Sequence, residues 1–187
     1  MFKSRIDENK PFIPLSIAVL AISDTRTLQT DDSGALLQSL MEEEGHACAE
    51  RAIVRDDVAA IRDIIRRWSD NPGIDVIITT GGTGFSGRDV TPEAVEPLFD
   101  KRMEGFSVLF HQYSSQTIGT SSLQSRATAG LIGTTFVFCV PGSRGACKDA
   151  WVGILSQQLD HRHLPCNFVE LIPRLSDRDT PPAPQGS

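Results

Sequence analysis

The densest chemistry in the chain lies between residues 79 and 92, which read TTGGTGFSGRDVTP. Gly81, Gly82, Gly84 and Gly87 fall within seven residues, directly after an apolar run. Glycine turns with φ > 0 at no steric cost and lets a ligand approach the backbone closely. Successive N–H groups in such a loop form an anion cradle. A helix start at Thr91-Pro92, threonine as cap and proline at the first helical position, adds a positive dipole end. Thr79, Thr80, Thr83 and Ser86 supply hydroxyls. A phosphate-bearing ligand suits this set. The bland alternative is a tight connection whose glycines serve packing alone. The loop is not a Walker A motif, since no Gly-Lys-Ser/Thr follows, and it is not GxGxxG at the first strand-to-helix turn.

Asp89 stands inside this loop. A carboxylate among N–H donors and beside Arg88 stays ionised, yet it repels a free phosphate. Two accounts fit: Mg²⁺ bridges Asp89 to a nucleoside phosphate, or Asp89 caps the loop backbone. Asp56 and Asp57 follow another apolar run. One of them caps a helix and the other faces the same edge; the sequence leaves open which.

These residues need elements to position them. Leu15–Ile22 (LSIAVLAI) is a short apolar run, read as a strand buried on both faces. The polar stretch Ser23–Gly34 follows, with Asp32 or Ser33 as cap of a helix that carries Leu37, Leu40, Met41 and Glu44 and stops at Gly45. Cys48–Val54 is a second strand. Asp57 is a candidate cap for a helix with Ile61, Ile64, Ile65 and Trp68 at helical spacing, broken by Asn71-Pro72-Gly73. Ile74–Thr79 is the strand entering the glycine loop. Helices are expected over 104–117 and 145–159, and a buried strand over 134–140. Strands alternating with helices predict an α/β fold with a mostly parallel sheet covered on both faces. In such sheets ligands bind beyond the carboxyl ends of the strands. The loops 23–34, 80–91 and 141–144 all follow strands, so right-handed crossovers bring them to one edge.

The whole chain agrees with this reading. Its 187 residues suit one domain, with 40% hydrophobic and 22% charged residues. Residues 1–14 read as an arm, 15–172 as the domain, and 173–187, ending DRDTPPAPQGS, as a disordered tail. The net charge of −6 argues against a nucleic-acid partner. No apolar run reaches the length of a membrane helix, and no signal peptide is read, so a soluble cytoplasmic protein is expected. Cys48, Cys139, Cys147 and Cys166 form no CxxC pair and are read as free thiols. His161 and His163 are read as a solvated pair sooner than a metal site.

TTGGTG followed by RDVTPEA resembles the signature of the MoaB/MogA family of molybdopterin-binding proteins. Similar stretches are Ser23-Asp24-Thr25-Arg26, Asp32-Ser33-Gly34, Phe99-Asp100, Glu104-Gly105-Phe106, Leu123-Gln124-Ser125-Arg126 with Ala129-Gly130, Pro141-Gly142-Ser143 and Pro165-Cys166-Asn167-Phe168. The likeness spans roughly 13–172, and the later stretches resemble the B-type branch, molybdenum cofactor biosynthesis protein B. It implies a three-layer α/β/α fold, a homotrimer or homohexamer, contact with other cofactor-synthesis proteins, and molybdopterin as ligand. In adenylyltransferase members it implies ATP and Mg²⁺ as well, giving adenylyl-molybdopterin and pyrophosphate. By motif the two aspartates needed for that step, and for Mg²⁺, fall on Asp56 and Asp89. Ser23, Thr80, Gly81, Gly82, Thr83, Gly84, Ser125, Arg126, Pro141, Gly142 and Ser143 would bind molybdopterin or ATP. For Arg126 the alternative is a surface ion pair. Arg144 stands where many relatives have proline. The competing functions are a molybdopterin carrier without turnover, and an interaction protein using Phe106, Leu109, Phe110 and Trp151 as subunit contacts.

Overall fold

The computed structural model describes residues 5–176. Six strands and the helices between them run in the order β1 (Ser16–Ile22), α1 (Asp32–Glu43), β2 (Ala47–Val54), α2 (Val58–Ser69), β3 (Val76–Thr80), α3 (Thr91–Val95), β4 (Lys101–Arg102), α4 (Glu104–Ile118), β5 (Thr128–Ile132), β6 (Thr135–Val140), α5 (Arg144–Ala150) and α6 (Ser156–Gln158). One sheet has the strand order β2-β1-β3-β6-β5-β4. β2, β1, β3 and β6 are parallel, whereas β5 pairs antiparallel with both β6 and β4. The sheet is therefore mixed, and the expected α/β fold is present.

The strands read as continuous apolar runs because both faces are covered. Alternate residues of β1 point to opposite sides. Ile17 and Val19 join Leu37, Met41, Phe110 and Trp151 on the face under α1, α4 and α5. Ala18, Leu20 and Ile22 join Ile61, Ile65 and Trp68 on the face under α2. Phe106, Phe110 and Trp151, considered above as subunit contacts, are buried in the first of these layers, and Leu109 packs against it. Truncating such fully buried large side chains costs about 3–5 kcal/mol.

Several local expectations are corrected. The cap of α1 is Asp31, not Asp32 or Ser33: its carboxylate accepts from the Gly34 N–H at 2.9 Å and pairs with Arg51 at 3.1 Å. Asp57 does cap α2, through the Ala60 N–H. Thr91 does not cap α3. The cap position is Val90, without a side-chain bond, and the Thr91 hydroxyl donates to the Gly81 carbonyl at 2.8 Å. The last helix is interrupted by a π turn over Trp151–Leu155. The sequence pattern predicts neither β4 nor β5. β5 reads TAGLI, and the ring of Phe99 lies where a Cβ on Gly130 would stand, 2.4 Å away. A glycine fixed by a neighbouring ring hides the strand from any propensity argument.

The described part of the arm is docked. Leu164 N–H donates to Arg5 O at 2.8 Å and Asp7 N–H to Arg162 O at 2.9 Å, and Ile6 bridges to His163. At the other end Ile172–Arg174 forms a 3₁₀ turn at the start of the expected tail, and the tail from 177 on lies outside the described residues. No described helix is long and apolar enough to cross a membrane.

Candidate functional site

The parallel strands β1, β3 and β6 end side by side, and the strand order reverses between β1 and β3, which is where an open sheet forms its crevice. A pocket of about 320 Å³ lies there, lined by Ser23, Thr80, Gly81, Gly142 and Ser143 from the expected set. Asp31, Asp32 and Ser33 from the start of α1 complete one wall, and Arg26 and Arg144 bring two guanidinium groups. Arg26 donates to Thr30 O at 2.9 Å. Arg144 makes no ion pair among the described residues.

The floor of the pocket is tied together by hydrogen bonds. Thr80 Oγ1 donates to Pro141 O at 3.1 Å, and Ser33 Oγ donates to Gly142 O at 2.8 Å. Ser143 Oγ accepts from the Ala146 N–H and so caps α5. Ser23 Oγ accepts from the N–H groups of Thr25 and Arg26. These hydroxyls therefore hold the three loops in register. Gly81 has φ +107°, and a Cβ there would stand 2.3 Å from the Ile22 carbonyl oxygen. Its N–H donates to Val140 O. Glycine at 81 joins β1, β3 and β6 at their ends; its N–H is not part of an anion cradle.

Beside the pocket, across Gly82, is an acidic corner. A Cβ on Gly82 would stand 3.2 Å from Asp56 Oδ1 and 2.3 Å from Thr91 Oγ1, so Asp56, not the capping Asp57, faces the loop. Asp56 N–H points at Asp24 Oδ1 at 3.4 Å, and Arg88 bonds Asp24 at 2.6 Å. Burial holds the Asp56 carboxyl above its ordinary value, and the charges of Asp24 and Asp89 add to that. Asp89 is held below its ordinary value, first by its bond from Ser86, aided by the Gly84 backbone and the Arg126 charge. The Ser86 N–H donates to Asp89 Oδ2 at 2.8 Å. The anion in this part of the cradle is the protein's own carboxylate, and capping and a role in chemistry are compatible at Asp89.

Arg126 is committed to the loop. Its Nε donates to Gly84 O at 2.8 Å, one terminal nitrogen to Asp89 O at 2.7 Å, and the other is bonded to Glu93. Its backbone N–H donates to Thr83 O. The guanidinium, a candidate phosphate ligand by sequence, fixes the shape of the loop. Thr83 is buried, and Ser125 Oγ is buried with no hydrogen-bond partner among the described residues, while its carbonyl accepts from His111. Arg26 and Asp24 are not among the individual site residues the sequence suggests; their signal is the Ser23-Asp24-Thr25-Arg26 stretch and its place in the loop after β1. His161 bonds Pro11 O and His163 is buried, so they are not a solvated pair.

A family model described as "Probable molybdopterin binding domain" matches residues 18–161. The chain belongs to that family of molybdopterin-binding, molybdenum cofactor biosynthesis proteins. It is 45% identical over 157 residues to molybdenum cofactor biosynthesis protein B of Escherichia coli (strain K12), covering 84% of this chain and 92% of the relative. A crystal structure of a molybdenum cofactor biosynthesis protein B superposes with a TM-score of 0.81 at 36% identity, covering 90% of this chain and all of that one. The tungsten cofactor synthesizing protein MoaB from Pyrococcus furiosus gives 0.65 at 33% identity, with 77% and 92% covered.

Proposed function

We propose that the chain binds molybdopterin and adenylylates it with ATP and Mg²⁺, releasing pyrophosphate. The observation that carries this reading is the juxtaposition of a polar pocket, with the guanidinium groups of Arg26 and Arg144 alongside Asp31 and Asp32 on its wall, and the Asp56–Asp89 corner across Gly82. Two anionic reactants need cationic donors, and a metal-bridged phosphate needs carboxylates.

The corner fits Mg²⁺ only in part. Among the described residues no group of three or more acidic, His or Cys side chains is placed to hold an ion alone. Mg²⁺ typically takes one or two carboxylates and completes its shell with water and substrate phosphates, so Asp56 and Asp89 are an appropriate pair for a nucleotide-bound ion. Bound there, Mg²⁺ would offset charge on the phosphates. The protein's own groups do the positioning. Arg26 and Arg144 bind phosphate oxygens, the bonded loops 23–34 and 141–144 keep the pocket's width, and Arg126 keeps Asp89 in place through Gly84 O and Asp89 O. A molybdopterin phosphate oxygen attacks the α-phosphorus of ATP, one P–O bond forms, and the bond to pyrophosphate breaks. Catalysis then comes from alignment and charge neutralisation. A homo-oligomer in the cytoplasm belongs to this reading. Its contacts would come from exposed apolar residues such as Val108 and Ile118 on α4, since the core absorbs Phe106, Phe110 and Trp151.

One observation favours a second reading, a molybdopterin carrier without turnover. Asp89 already serves the loop, so its carboxylate is explained without a metal. Pyrophosphate release on mixing the protein with molybdopterin, ATP and Mg²⁺ separates the two. Release that requires all three supports transfer. Tight pterin binding with no release supports the carrier.

A further inference from the structure

Phe85 belongs to neither hydrophobic layer of the core. It stands in the middle of the glycine loop, and 72% of its surface is exposed. An isolated exposed apolar side chain is ordinary, but this one is held in place. The Arg126 guanidinium carbon lies 5.5 Å from its ring centroid, within cation–π range. That guanidinium cannot swing away freely, because it is bonded to Gly84 O, Asp89 O and Glu93. The loop on either side of the ring is pinned too, by Arg126 N–H to Thr83 O and by Ser86 N–H to Asp89 Oδ2. A ring fixed on one side by a tethered cation loses little freedom when something stacks on its open side. Ser86, the next residue, bonds the carboxylate assigned above to a nucleotide-bound ion.

We propose that Phe85 is a stacking platform for the planar nitrogen heterocycle of the ligand, a purine or a pterin ring, with Arg126 as the positioning residue beneath it. The inference rests on the molybdopterin and ATP reading. Stacking of a base on an aromatic side chain changes affinity by roughly tenfold or more.

The native tryptophans, Trp68 and Trp151, are 1% and 0% exposed. A Phe85→Trp substitution therefore gives one exposed indole at the platform. The emission of this variant is titrated with AMP, with a simple pterin and with ribose 5-phosphate. In parallel, calorimetry compares wild type, Phe85→Leu and Phe85→Ala with the same compounds. The expected result is saturable quenching by AMP or by the pterin, whichever ring occupies the platform, and none by ribose 5-phosphate. Phe85→Ala should weaken binding of that ring compound about tenfold, with Phe85→Leu closer to wild type in folding but weakened as well, and ribose 5-phosphate unchanged. Unaltered affinity in Phe85→Ala alongside normal wild-type binding would overturn this inference and leave the functional reading standing. Wild type that binds neither ring compound would overturn both. Emission of Phe85→Trp that depends on protein concentration instead of ligand would make the ring a subunit contact and also overturn it.

Discussion

At the scale of single residues, the site separates groups that touch ligand from groups that hold the site open. Asp56 is crowded by the charges of Asp24 and Asp89, which a backbone hydrogen bond from Asp24 and the Arg88 charge only partly oppose. Asp56→Asn keeps the shape and removes the charge. Adenylyl transfer should fall by about 100-fold or more, of the order seen when one electrostatic stabiliser is lost, while the urea midpoint at neutral pH holds or rises, because the buried, crowded charge is gone. Asp89→Asn should lose activity and also loosen the loop, because Ser86 and Gly84 donate to that carboxylate. Arg144 offers a cleaner separation. It lines the pocket and pairs with no acid among the described residues, so Arg144→Ala should weaken ATP or molybdopterin binding about tenfold while stability stays within about 0.5 kcal/mol. Calorimetry at two salt concentrations checks it: the difference from wild type should shrink as salt rises. Equal affinities would place Arg144 in solvent.

At the scale of elements, the ends of β1, β3 and β6 are joined through Gly81. Gly81→Ala would put a methyl 2.3 Å from Ile22 O in a left-handed conformation, and should cost at least about 2 kcal/mol. Gly87→Ala meets nothing within 4 Å and should be close to neutral. Urea denaturation of the two variants tests whether these glycines do different jobs in one motif. That difference was not legible in the sequence, where all four glycines look alike. The strand-to-loop edge was legible, because buried parallel strands advertise themselves as apolar runs and their following loops as polar ones. The caps were half legible: Asp57 had a clear helix after it, but in TDDSG three neighbouring polar residues competed, and the pairing of Arg51 with Asp31 decided it. Arg126 illustrates the remaining gap. Its type and neighbourhood suggest a phosphate, and only the through-space approach of residues 84, 89 and 93 shows that each of its three guanidinium nitrogens already bonds the loop or the helix after it.

At the scale of the molecule, stability should respond to mild acid through one buried group. His46 lies under the arm, with its ring 5.0 Å from Phe12 and 5.9 Å from Trp151. Leu15 N–H donates to its Nδ1 at 3.1 Å, which puts the proton of the neutral ring on Nε2. Burial holds the imidazole below its ordinary 6.5, opposed by the charge of Asp160. The unfolded chain thus takes up this proton more readily than the folded one. Its contribution is fully present above about 6.5 and is lost as pH falls below that value. The loss is at most about 1.4 kcal/mol per pH unit. His46→Asn keeps an acceptor for Leu15 and removes the titration, so urea midpoints of wild type and variant should diverge with acid and run parallel above neutrality. Parallel curves throughout would show that the folded protein protonates His46 without penalty.

The measurement that bears most directly on the central claim follows the α-phosphorus of ATP. Wild type, Asp56→Asn and Asp89→Asn are each given molybdopterin, Mg²⁺ and ATP labelled at that phosphorus. The account predicts label in adenylyl-molybdopterin, with an equal amount of pyrophosphate, for wild type and almost none for the two variants. Label that stays in ATP while wild type holds both ligands tightly, or transfer that proceeds equally in all three proteins, would contradict it.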